Sequence, residues 1–146
     1  MIDKHKVLFV QEISEGEFET ESIWCYKVND EIFIVDNIPF IAKRISLGDT
    51  IKVDYDKNEK AYYFDDFIEV SGNSTIRVYF NDENMIKSTR KKLDEFNCKS
   101  EAFLERNMIS INVPSNVNYT PIKLFLENGE NNKNWEYEES CLMHEY

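Results

Sequence analysis

The spacing of apolar residues changes once along this chain, at Ser71-Gly72-Asn73. Before that run the pattern repeats every two residues, the spacing at which successive side chains point to opposite faces of a strand. After it, strand-like runs alternate with apolar stripes at helical spacing. A chain that switches period at a three-residue turn is confined to an α+β arrangement in two parts, residues 1–70 and 74–142. The first is expected to be a small antiparallel β-barrel-like subdomain. The second reads as strand, helix, strand, strand, helix, strand, which predicts a ferredoxin-like βαββαβ subdomain. Each half is small enough to be marginal alone, so the expected arrangement is one half packed on the other as a cooperative unit.

In the first part, residues 6–11 read as the opening strand. Residues 17–28 alternate, with Phe18, Thr20, Ser22, Trp24, Tyr26 and Val28 on one face. Glu17, Glu19, Glu21, Ile23, Cys25 and Lys27 share the other. Strands are also expected at 31–36, 50–55 and 61–70, with an extended piece at 41–46 after the break at Pro39. In the second part a strand at 75–80 leads to a helix capped by Asp82, carrying Ile86, Leu93 and Phe96, and stopping near Asn97. A hairpin of residues 99–104 and 108–113 ends at Pro114. Thr120 is expected to cap the next helix with Pro121 in its first turn, and Gly129 to close it in a left-handed cap. The last strand spans 135–142.

Charge narrows the function classes. There are 28 acidic and 17 basic residues, a net charge of −11. Nucleic acid and anionic membranes both attract positive surfaces, so neither is an expected partner. The dense basic run Arg90-Lys91-Lys92 falls on a helix and reads as its solvated face. Nothing approaches the ~20 apolar residues of a membrane span, and the N-terminus lacks the long apolar stretch of a secretory signal. Three cysteines at wide spacing make neither a disulfide framework nor a Cys-x-x-Cys pair. A cytoplasmic protein with reduced thiols is therefore expected.

Chemistry-bearing motifs are sparse. His5 and His144 stand near opposite ends of the chain, and no metal or cofactor is expected. Cys141 and His144 are neighbours, but Glu138, Glu139 and Glu145 surround them and would hold the thiol protonated. Adjacent carboxylates such as Asp65-Asp66 point to opposite faces of a strand and form no acid/base pair. No catalytic residue is nominated. Glu136 and Glu138 share a face. If the last strand lies beside residues 75–80, Arg77 can meet either carboxylate, as a surface cross-strand ion pair or a contact to the first half, or as a polar pocket on the helix-free face. Two acidic strips remain, one around Glu17, Glu19 and Glu21 and one around Asp54, Asp65 and Asp66. Each strip reads either as a solvated face or, with these six residues as the contacts, as a docking surface for a basic protein partner drawn in by long-range attraction.

The segments Asp36-Asn37-Ile38-Pro39-Phe40, Ser46-Leu47-Gly48-Asp49, Ser71-Gly72-Asn73-Ser74-Thr75-Ile76-Arg77 and Trp135-Glu136-Tyr137-Glu138-Glu139 resemble a family of small bacterial proteins known only as a domain of unknown function. The resemblance spans nearly the whole chain, and the Ser-Gly-Asn-Ser-Thr stretch is its most specific part. It implies a bacterial protein and supplies no activity or site residue. Size, acidity, missing catalytic motifs and that resemblance lead to one expectation: a non-enzymatic protein-binding protein, sharpened to an immunity or antitoxin-like inhibitor of a basic toxin. The alternative is a small-molecule-binding or regulatory module with its site between the halves near Arg77. An unrecognised enzyme is the third.

Overall fold

A computed structural model describes residues 2–146. The chain is α+β, with two sheets in two compact units, Met1–Ser71 and Gly72–Tyr146.

The first unit contains β1 (Lys4–Ser14), β2 (Glu17–Lys27), β3 (Ile32–Val35), β4 (Thr50–Asp56) and β5 (Ala61–Glu69). Each strand pairs antiparallel with the next. β5 then returns to β1 through Val7 opposite Tyr62 and Leu8 opposite Tyr63, and this pairing is parallel. The direction follows from counting. In five strands that alternate in direction, the first and fifth run the same way. Val7 and Phe9 of β1, Ile23 and Cys25 of β2, Phe33 and Val35 of β3, and Ile51 and Val53 of β4 form the core. Their alternation with less buried residues is what selects extended backbone here.

Burial decides between the two faces of β2. The core takes Ile23 and Cys25, while Phe18 and Trp24 are exposed. The expected extended piece at 41–46 is not a strand. Its amides turn instead toward the Glu21 side chain, and Arg44 adopts a left-handed backbone with φ 64°. An extended chain points successive amides to opposite sides, so it cannot aim three in a row at one carboxylate.

The second unit contains β6 (Ser74–Phe80), α1 (Ile86–Glu95), β7 (Lys99–Phe103), β8 (Met108–Val113), α2 (Thr120–Asn131) and β9 (Trp135–Cys141). The sheet is antiparallel in the order β7-β8-β6-β9. Ile76, Val78, Ile109 and Ile111 line one sheet face, and Ile86, Leu93, Ile122 and Leu126 of the helices join the same core. Among the described residues no helix is long and apolar enough to cross a membrane.

Three local expectations are corrected. Asp82 caps not α1 but the short 3-10 turn Glu83–Met85 ahead of it, accepting from the Asn84 amide at 3.0 Å. Thr120 is the first helical residue of α2, and its amide donates to Asn118 Oδ1. Gly129 lies inside α2 rather than at a left-handed cap. The Trp135 ring lies where a side chain at 129 would start, which is the reason for glycine there.

Candidate functional site

The acidity is concentrated in the first unit, where residues 1–71 hold sixteen acidic against eight basic side chains. The nominated carboxylates there do not form one surface. Glu21 shares the core-side face of β2 with Ile23, and its carboxylate is committed. Oε2 accepts from the Phe40 amide at 2.7 Å, and Oε1 accepts from Ile41 at 2.9 Å and Ala42 at 2.8 Å. It therefore anchors a loop, which corrects its assignment to a solvated docking strip. Glu19, two residues earlier on the same face, is half-buried and engaged. Glu17 is exposed at the hairpin and accepts from the Ser14 hydroxyl at 3.0 Å.

Asp54, Asp65 and Asp66 do face solvent together. β4 and β5 pair with two register shifts, between Thr50 and Ile51 and between Lys52 and Val53. Each shift inserts an extra residue into β5 and bends it. The last five residues of β5 are all exposed. Phe67, Ile68 and, on β4, Tyr55 are exposed too, but Tyr55 and Phe67 lie on the face of Ile51 and Val53, Tyr55 opposite Tyr62 and Phe67 opposite Ile51. Lys52 lies 3.6 Å from Asp65, with both side chains substantially exposed, so that pair is weak.

On the helix-free face of the second sheet, β9 lies beside β6, and the register sets Arg77 opposite Glu138. Arg77 is 2% exposed, and its Nη1 lies 3.4 Å from Glu138 Oε1. The Tyr79 hydroxyl donates to the same oxygen at 3.0 Å. Burial pushes the Tyr79 pKa up, and the Glu138 charge adds to the shift. Glu136 is opposite Tyr79, exposed, and forms no ion pair among the described residues. Of the nominated pocket, the structure thus brings Arg77 and Glu138 together and leaves Glu136 outside.

Sequence reasoning missed a second polar group, on the helix side of that sheet. Lys123 of α2 donates to both Glu139 oxygens at 3.1 Å, and the Tyr119 hydroxyl donates to Glu139 Oε2 at 2.7 Å. The Tyr146 ring lies 4.1 Å from Lys123 Nζ, close enough for a cation–π contact. Burial and the Glu139 charge push the Tyr119 pKa upward. For Lys123, desolvation pulls downward but is outweighed by Glu139 and Tyr137, so the ammonium is held charged. Neither group is a base near neutral pH, and the cluster joins α2 to β9. Its sequence signal was the alternation that sets Glu139 on the face of Trp135 and Tyr137.

The cysteines and histidines hold other positions. Burial pushes the Cys25 thiol up to about 12 and the Cys98 thiol up to about 11, which leaves them protonated and poorly nucleophilic. The two His144 ring nitrogens face the Ser74 hydroxyl and the Pro114 carbonyl, so His144 is not poised as a base for Cys141. Of the basic run, Arg90 turns inward to the Ser100 hydroxyl and carbonyl, while Lys91 and Lys92 are solvated. Among the described residues no three His, Cys, Asp or Glu side chains gather as a metal site.

The fold defines a class: an α+β protein of two compact units. The chain belongs to the family described as "Domain of unknown function (DUF4265)", which matches residues 21–137. It is similar to a solved structure described as "Novel crystal structure of a hypothetical protein from Neisseria gonorrhoeae". The two chains are 26% identical, 96% of each is covered, and the TM-score is 0.84. No curated protein matches the chain.

Proposed function

We propose that this is a non-enzymatic binding protein that docks a basic protein surface onto the acidic end of its first unit, in the manner of an immunity or antitoxin-like inhibitor. Nucleic acid and membrane are not its partners on this reading. The first unit is then a small barrel that presents the docking strands, and the second is a ferredoxin-like sheet. One observation carries the proposal: Asp54, Asp65 and Asp66 are all exposed, on paired strands that also expose Ile68. Clustered carboxylates supply long-range attraction for a basic partner, and an exposed aliphatic side chain among them supplies a desolvable contact.

The test is association with the basic product of a neighbouring gene, measured by stopped flow. Raising salt from about 0.1 M to about 1 M shortens the Debye length from ~10 Å to ~3 Å and should slow association sharply. The triple variant Asp54→Asn, Asp65→Asn, Asp66→Asn should cut the on-rate about tenfold with little change in melting temperature. Salt-independent association, or an unchanged on-rate in the triple variant, overturns the docking surface.

A further inference from the structure

β1 and β5 pair over only two positions, Val7 with Tyr62 and Leu8 with Tyr63. The cavity beside that pairing, of about 300 Å³, lies between Phe9, Val10 and Gln11 of β1 and Phe64 and Phe67 of β5. Loop 42–45 closes its third side. Its lining is aromatic: the Phe9 and Phe64 rings stack with centroids 5.0 Å apart and planes 20° apart, and Phe67 meets Phe64 edge-on at 4.9 Å.

Lys43 and Arg44 stand at the side of this cavity, both exposed. Among the described residues neither has a carboxylate partner, although the chain carries 28 acidic side chains. The loop that carries them is held in place. Gln11 Oε1 accepts from the Lys43 amide at 3.1 Å, and Glu21 holds the three amides before it. The Glu21 carboxylate under the loop is therefore spent on backbone. Arg44 keeps a left-handed backbone, which costs a branched or long side chain energy and recurs at ligand-holding sites.

We propose that this cleft binds a small organic carboxylate with an aromatic or branched apolar body. The body lies against Phe9, Phe64 and Phe67, and the carboxylate meets Lys43 and Arg44, whose charges suit it. The volume equals about ten waters at ~30 Å³ each, so the ligand has about ten non-hydrogen atoms. An apolar cavity with a few convergent polar groups is the usual form of a small-molecule site. The inference does not rest on the acidic docking surface, since it uses neither Asp54, Asp65 nor Asp66, although Phe67 shares strand β5 with the last two.

Phenylacetate, 2-phenylethanol and inorganic phosphate serve as probes in an amide-resolved NMR titration of the full chain. Phenylacetate should shift the amides of Gln11, Lys43, Arg44, Phe64 and Phe67 saturably. The neutral alcohol and the phosphate, each lacking half of the recognition, should bind at least about tenfold more weakly. Lys43→Ala with Arg44→Gly should weaken phenylacetate about tenfold or more. Glycine suits the backbone at 44, so the loop keeps its shape and the remaining spectrum should be unchanged. No saturable shift at the cleft up to about 10 mM phenylacetate, equal binding of the alcohol, or undiminished binding to the double variant overturns the proposal.

Discussion

Replacing Gly129 with alanine should destabilise the second unit, although alanine is the better helix former. A Cβ at 129 would lie 1.9 Å from Trp135 Cζ2, 2.1 Å from Cε2 and 2.6 Å from Cη2. Carbon atoms rest at ~3.5 Å, so the ring or the helix must retreat by about 1.6 Å. The indole has little room. It is 3% exposed, its Nε1 donates to the Leu126 carbonyl at 3.0 Å, and Phe80 and Phe125 lie 5.7 and 5.5 Å from it, centroid to centroid. Overpacking costs up to about 3 kcal/mol, and loss of the indole hydrogen bond adds about 1 kcal/mol. Helix propensity returns about 1 kcal/mol. The net loss is about 3 kcal/mol, read by urea denaturation followed by circular dichroism. A Trp135→Phe background shortens the ring, so Gly129→Ala should cost at least about 1 kcal/mol less there. Gly129→Ala as stable as the parent, or an equal cost in both backgrounds, refutes the close-approach argument.

Two further outcomes follow from the half-buried Glu21 and from the buried thiols. Glu21→Ala should lower stability by about 2–3 kcal/mol in urea, because three loop amides lose a charged acceptor, while Glu21→Gln should lose roughly half of that. A loss in Glu21→Ala below about 0.5 kcal/mol would show that the loop holds without its anchor. Cys25 and Cys98 have folded pKa values raised to about 12 and about 11 from 9.0. Above pH 9 the unfolded chain releases thiol protons that the folded chain retains, so stability falls as pH rises. The contribution of the thiols is complete below pH 9 and is lost between 9 and about 11–12. Melting temperature across that window should fall less steeply in Cys25→Ala, Cys98→Ala than in the parent. Identical slopes would sink the assignment.

What the chain's local order contained was period, punctuation and charge. Alternation located the strands of both units, because side-chain direction along extended backbone depends only on neighbouring residues. The break at Ser71-Gly72-Asn73 coincides with the boundary between compact units. The meeting of Arg77 with Glu138 was reachable once β9 was set beside β6, since register then follows from the pattern. Even the parallel return of β5 to β1 is implicit in a count of five alternating strands.

Other features depend on residues far apart in the chain. Glu21 and Ile23 shared a face by alternation, but nothing local told whether that face or the one with Phe18 and Trp24 would be buried. The core chose the face that packs with Phe33 and Val53, and a carboxylate expected in solvent became the anchor of a loop 21 residues away. Gly129 followed apolar helical residues and looked like a terminus, until the approach of Trp135 gave it another reason. Lys123 and Glu139 were visible separately, on a helix and on a strand, and their pairing waited on the packing of one against the other. Periodicity is a property of a few adjacent residues. Burial and charge pairing belong to surfaces that exist only after distant segments have met.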